Sequence, residues 1–211
     1  MLSTFTKMFN IVLETGIVSN DWSIGVIKPI YKNKGSYNDP DNYRGITILS
    51  CMGKLFTSLL NNSLTKYLND YKIIGEEQAG FRKGYSTSDH IFTLKCLIDL
   101  YLFKKKRLYC AFIDYRKAFD TVNRCSLWSK LLSNNINGKV LNVIKNIYMN
   151  AKTCVKSNNE LSSIFSCKVG VRHGDNLSPL LFALYLNDLE MYMSKFYKGL
   201  PIWYPRWLRI Y

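Results

Sequence analysis

The chain has 211 residues, 47% of them hydrophobic and only five prolines, so it carries enough apolar material for a core and intrinsic disorder is excluded as an overall description. Lys and Arg total 29 against 15 Asp and Glu, and the resulting +14 points to a polyanionic partner, most often nucleic acid. Six cysteines at 51, 96, 110, 125, 154 and 167 form no Cys-x-x-Cys pair, and there are two histidines, so neither a zinc knuckle nor a dense disulfide scaffold is expected. No apolar run approaches the roughly 20 residues that span a bilayer. The N-terminus lacks a signal-peptide pattern, so an intracellular protein with no membrane partner is expected.

In chain order, Phe5, Met8, Phe9, Val12 and Leu13 share one helical face over residues 3–15, with Gly16 as the stop. Ile24–Tyr31 is short and β-branched, a strand. Residues 32–44 are polar and rich in Asn, Asp, Gly and Pro, a loop. Over Ser50–Asp70, Leu55, Leu59, Leu60, Leu64 and Leu68 keep a helical period. Ser86 is placed to cap a second long helix with Asp89 three residues on, reaching Phe103 ahead of the basic run Lys104–Arg107. Leu108–Ile113 reads as a strand that ends on Asp114. A helical region over residues 126–150 breaks near Asn134–Gly138. Residues 153–156 and 163–169 form a hairpin around residues 157–159, and after a loop over 170–178 Pro179 opens a final helix. From Phe196 the periodicity fails, leaving a tail with aromatics and two prolines.

Four segments stand in order: Ile27-Lys-Pro-Ile30 with Asn42-Tyr-Arg-Gly45; Gln78-Ala-Gly-Phe-Arg-Lys-Gly84 with Ser86-Thr-Ser-Asp89; Phe112-Ile-Asp-Tyr-Arg-Lys-Ala-Phe-Asp120; and Gly170-Val-Arg-His-Gly-Asp-Asn-Leu-Ser-Pro179. Each alone is weak. Together they resemble the reverse transcriptases of non-LTR (LINE-type) retrotransposons, from about Val18 to Met193. The resemblance implies an α+β fold, the fingers and incomplete palm of a right-hand polymerase: residues 1–195 as a partial domain (about 1–105 fingers, 106–195 palm) and 196–211 as a divergent tail.

The same resemblance assigns roles. Asp114 is the first catalytic carboxylate and a ligand for Mg²⁺, which prefers hard carboxylate and phosphate oxygens; taken without its neighbours, a strand-end Asp reads at least as well as a turn cap. Asp120 is a structural carboxylate. Phe119 is the aromatic against the sugar of the incoming nucleotide, where a ring leaves no room for a 2′-hydroxyl; its bland alternative is core packing. The backbone from Tyr115 through Arg116 to Ala118 offers N–H groups to a triphosphate, as turns do for anions. Lys28 and Arg44 are triphosphate contacts, or else solvated surface charge. His173 and Gly174 belong to the loop beneath the nascent base pair. The family usually has Gln where this chain has His173, and an imidazole cannot donate and accept on one face as an amide does.

The implied partners are an RNA template, a DNA primer and deoxynucleotide triphosphates. Lys104–Arg107, Arg82 with Lys83, and Lys152 with Lys156 are candidates for a template groove, with Phe81 and Tyr85 to stack on bases. The family's aromatic-x-Asp-Asp hairpin is not recognisable, and no Asp or Glu follows Glu190. The expectation is therefore a truncated reverse transcriptase, inactive by itself; a non-catalytic RNA-binding remnant and a translated pseudogene are the alternatives.

Overall fold

The structure, a computed structural model, describes residues 2–76, 78–158 and 160–195. The tail 196–211 singled out above lies outside the described residues. Helix α1 (Leu2–Thr15) is followed by one turn, α2 (Asn20–Ser23), strand β1 (Ile24–Tyr31), a 3₁₀ turn at Pro40–Asn42 and strand β2 (Tyr43–Ile48). Then come helices α3 (Cys51–Asp70), α4 (Thr87–Phe103), α5 (Arg124–Ser133) and α6 (Gly138–Met149). Strands β3 (Lys152–Ser157), β4 (Glu160–Leu161) and β5 (Phe165–Ser166) precede α7 (Ser178–Leu186) and α8 (Leu189–Ser194).

The sheet runs β2-β1-β3-β4, with β5 also on β3. β1 pairs antiparallel with β2, Tyr31 opposite Tyr43 and Lys28 opposite Ile46, and parallel with β3, Ile24 opposite Lys152. The parallel pair needs a long crossover, and helices α3 to α6 supply it. Residues 32–42 thus close a β-hairpin, with the Tyr31 ring stacked 4.2 Å from Tyr37. Tyr43 and Arg44, read from sequence as loop, open β2, because the ladder to β1 continues through them.

The core lies between helices. Leu127 and Leu131 of α5, Val143, Ile144, Ile147 and Tyr148 of α6, and Leu177, Leu181 and Leu184 at and within α7 are all but inaccessible. Each such aliphatic side chain contributes about 1.5–3 kcal/mol on burial. On α1, Phe9 and Val12 are buried and Phe5, Met8 and Leu13 pack against the same core. On α3 the buried stripe is Phe56, Leu60, Leu64 and Leu68, spaced by four, and the expected Leu55 and Leu59 face outward. Adjacent apolar pairs, Leu55–Phe56 and Leu59–Leu60, straddle the stripe and satisfy a loose period, and packing selects which member turns inward.

Two expectations meet different fates. Ser86 does cap α4: its Oγ accepts from the Asp89 N–H at 3.4 Å, and Asp89 Oδ2 accepts from the Ser86 N–H at 2.8 Å, a reciprocal capping box. The strand expected at Leu108–Ile113 is not formed; these residues are irregular, and Tyr109 and Ile113 are exposed. A strand has no internal hydrogen bonds, so an apolar β-branched sequence becomes one only beside a partner. Among the described residues none pairs with this segment.

Candidate nucleotide site

Two turns far apart in sequence are joined by their backbones. The Val171 N–H donates to Phe119 O at 2.8 Å and the Gly170 N–H to Val122 O at 3.0 Å. The approach demands glycine at 170. Its φ is +80°, and a Cβ there would lie 2.7 Å from Phe119 O and 2.8 Å from Asp120 O. Gly174 makes the next contact: with φ at +83°, its Cβ would sit 2.4 Å from Thr47 O of β2. The loop 170–176 is thereby pressed between the 119–122 turn and the β1–β2 hairpin.

Buried polar groups hold this loop from beneath. Arg124, 9% exposed, donates from Nε to Gly170 O at 2.9 Å, and through its terminal nitrogens to Tyr148 O at 2.6 Å and Val169 O at 3.3 Å. Arg172 donates to Trp22 O and Ser23 O, at 3.0 and 3.3 Å. Burial pulls both guanidinium groups down from their usual range. Asp175 is buried beside Arg172; burial pushes its carboxyl up, against the Thr57 hydroxyl and Arg172, which favour the ion. The Tyr148 hydroxyl, its pKa raised by complete burial, shares a 2.8 Å hydrogen bond with Ser178 Oγ at the start of α7.

On this base Phe119 projects into an aromatic cluster. Its ring meets Phe182 edge-on at 5.1 Å and His173 edge-on at 5.3 Å, and Phe81 lies at 5.9 Å. The His173 Nε2 is 3.1 Å from Asp120 Oδ1. That hydrogen bond, helped by the charges of His173 and Lys117, holds the Asp120 carboxyl below the usual range against the opposing effect of burial. Phe119, His173 and Gly174 are thus brought together.

The basic candidates occupy the neighbouring hairpin. Lys28 pairs with Ile46 and Arg44 with Ile30, so all four project from one sheet face, and all four are exposed. Arg116 and Lys117 approach the Asp41 carboxylate at 3.6 and 3.1 Å, tying the 115–118 turn to the hairpin loop. The Lys117 hydrogen bond, then its charge and that of Arg116, lower the Asp41 carboxyl from its ordinary value. These pairs are solvent-exposed and weak, each worth about 0–1 kcal/mol. Tyr115 is exposed, and the partial burial of its ring, with Tyr185 nearby, raises its hydroxyl from the ordinary value.

Asp114 is exposed, at the end of the segment that forms no strand. Among the described residues no group of three or more His, Cys, Asp or Glu is placed to hold a metal ion. The described residues therefore do not by themselves make a Mg²⁺ centre around Asp114. Of the template-groove candidates, Arg82 is a structural group: it donates to Gly75 O at 2.6 Å and Gln78 O at 3.3 Å and stacks 4.1 Å over Tyr85, whose hydroxyl bonds Glu76. Lys83, Lys104–Arg107, Lys152 and Lys156 are exposed.

Sequence reasoning did not single out Arg124, Asp175 or the Tyr148–Ser178 pair. Asp175 lay within a quoted segment, but nothing in the order of residues marks a carboxylate for burial. Arg124 carried a faint signal, as a cation at the first position of a helix, where the macrodipole disfavours it.

The α+β fold, with its glycine-tailored loop packed against an aromatic turn, has known likenesses. A solved structure of apo telomerase from Candida tropicalis, truncated from its C-terminal domain, superposes with a TM-score of 0.56 over 93% of this chain and 45% of that one at 16% identity, a likeness of fold. Residues 30–202 match the family described as reverse transcriptase (RNA-dependent DNA polymerase). This chain belongs to the reverse transcriptase family. Among its relatives are a probable RNA-directed DNA polymerase from transposon BS of Drosophila melanogaster, 30% identical over 184 residues, and the RNA-directed DNA polymerase from mobile element jockey of the same fly, 27% identical over 189. These cover 86% and 89% of this chain, which spans about a fifth of each relative's length, 20% in both cases. The Pol polyprotein from type-1 retrotransposable element R2 of Nasonia vitripennis is 27% identical over 83% of the chain and 17% of its own length. The relatives are thus polymerases of non-LTR mobile elements. Among the described residues no helix is long and apolar enough to cross a membrane.

Proposed function

We propose that this chain forms the fingers (about residues 1–105) and the first part of the palm (106–195) of an RNA-directed DNA polymerase of a non-LTR retrotransposon. The observation that carries the reading is the union of Phe119 and Asp120 with His173, 53 residues beyond Asp120, on a loop that packs through Gly174 against the β1–β2 hairpin. That union forms one wall of a nucleotide site. Phe119 meets the deoxyribose, His173 and Gly174 lie under the nascent base pair, and Lys28, Arg44, Arg116 and the 115–118 backbone receive the triphosphate. An RNA template and a DNA primer are the partners, held by the exposed cations, and the +14 charge supports a polyanion.

Asp114 stands in this reading for one carboxylate of the catalytic centre. Among the described residues no group of three or more His, Cys, Asp or Glu gathers to hold a metal, so in this reading they bind nucleic acid without by themselves extending a primer. The experiment is direct. The purified chain is given an RNA template, a DNA primer, deoxynucleotides and Mg²⁺, and no extension is expected; processive synthesis overturns the inactivity. The binding half is tested with the same RNA in a salt series. About six phosphate contacts weaken affinity roughly a thousandfold between 50 and 200 mM salt, and a flat response removes nucleic-acid binding from the proposal.

A further inference from the structure

Phe119 is held by its backbone and by its ring, and the two holds differ in kind. The backbone is fixed through Phe119 O and the close approach of Gly170. The ring is fixed by its neighbours, of which Phe182 is anchored on α7 with 4% exposure. His173, by contrast, is half-exposed on a loop, and an imidazole in that position turns about its own bonds unless something stops it. What stops it is Asp120, the residue next to Phe119, through the 3.1 Å contact to Nε2. Lys117 acts on Asp120 through its charge but rests its ammonium on Asp41 at 3.1 Å, whereas the imidazole contacts the Asp120 carboxylate directly. Phe119 thus carries at its side the group that locks the opposing wall of its own cluster.

We propose that Asp120 and His173 are a positioning pair that holds the Phe119 ring in place and so sets how strongly the site rejects a 2′-hydroxyl. The proposal rests on the reading of Phe119 as the residue that meets the sugar. A soft apolar wall rejects an added hydroxyl only about a hundredfold, because the wall yields; fixing the ring on a second side is what makes the exclusion steric. His173 in this role acts through Phe119 as well as lying under the base pair, and its donor to Asp120 is a function that an amide side chain can reproduce.

The test compares dATP with ATP, two probes that differ only in the 2′-hydroxyl, titrated against the full 211-residue chain and its variants. The chain is expected to prefer dATP, and Phe119→Ala to abolish the preference. Asp120→Asn and His173→Ala are each expected to reduce the preference at least ~3-fold. His173→Gln, which keeps a donor for Asp120, is expected to restore most of it. A general loss of structure weakens both probes together and leaves their ratio unchanged. A second readout needs no nucleotide: the His173 ring lies 5.3 Å from the Phe119 ring, centroid to centroid, and Asp120→Asn is expected to move the resonances of its carbon-bound protons. If Phe119→Ala removes the preference while Asp120→Asn and His173→Ala leave it intact, the positioning pair is overturned and the site reading stands. If dATP fails to bind, or Phe119→Ala changes nothing, the reading itself fails and the pair falls with it.

Discussion

Helices α4 and α6 are both rich in apolar residues, yet they sit in the molecule in opposite ways. On α6, five of twelve residues are buried, Leu141, Val143, Ile144, Ile147 and Tyr148, between α5 and α1. On α4, of seventeen residues none is buried, although Ile91, Phe92, Ile98, Leu100, Leu102 and Phe103 are all large and apolar. The difference lies in arrangement and partners. The apolar side chains of α6 fall on one stripe, which a single neighbour can cover, whereas those of α4 run round the helix, the pattern of one covered on several sides. Its sequence neighbour, residues 108–113, shows the same condition, an apolar run without a ladder partner among the described residues. Apolar content builds an element; only a facing surface buries it.

The largest test of this contrast is truncation on each side of it. Leu131→Ala, in a position with no accessible surface, is expected to cost about 2–5 kcal/mol in urea unfolding, whereas Phe92→Ser on α4 should stay within about 0.5 kcal/mol. Equal effects would mean that α4 is covered in solution. Next comes the support of the loop. Arg124→Lys keeps the charge but loses the fork that reaches three carbonyls, and a loss of about 2–4 kcal/mol is expected by the same measurement. Glycine substitutions sharpen the comparison further. Gly170→Ala drives a methyl group into the Phe119 and Asp120 backbone and should cost about 3 kcal/mol. Gly84→Ala, equally left-handed but facing open space, should cost only about 1–2 kcal/mol.

The smallest effects are in pH dependence, where two carboxylates at one loop act in opposite senses. Asp175 binds its proton more tightly folded than unfolded, so its contribution favours the folded state at low pH and is lost as pH rises from the ordinary carboxylate range through the raised folded value. Asp120 has a lowered folded value; its contribution is present above the unfolded value and is lost as pH falls through the folded one. Thermal melting across the acid range should therefore show that Asp175→Asn removes a fall in stability toward neutrality, while Asp120→Asn removes a fall toward acid. The Asp120 effect is the lesser, since that side chain is 56% exposed and screened by solvent.

Much of the architecture is written locally. The α1 stripe, the break between α5 and α6, the β1 strand with its 24–31 limits and the Ser86–Asp89 cap each follow from residues within one or two turns of one another. The four quoted segments were sufficient to recognise a reverse transcriptase, and Gly170 and Gly174 sit at left-handed positions of the loop that carries one of them. Candidate residues could be named from the sequence, but their connections could not. That His173 bonds Asp120 and that Arg116 and Lys117 meet Asp41 are consequences of separations of 53, 75 and 76 residues, which no periodicity encodes.

By itself, then, the order of residues determined the limits of α1, α3 and α4 to within a residue, the apolar face of α1, the break between α5 and α6, the family and the candidate residues of the site. Tertiary structure alone decided that Leu108–Ile113 does not become a strand, that α3 turns Phe56 inward in place of Leu55, and that Asp175 and Arg124 are buried. The physical reason is common to all three. Helical hydrogen bonds close within four residues and are specified locally, whereas a strand, a packing choice between adjacent side chains and the burial of a charge each take their free energy from a partner elsewhere in the chain.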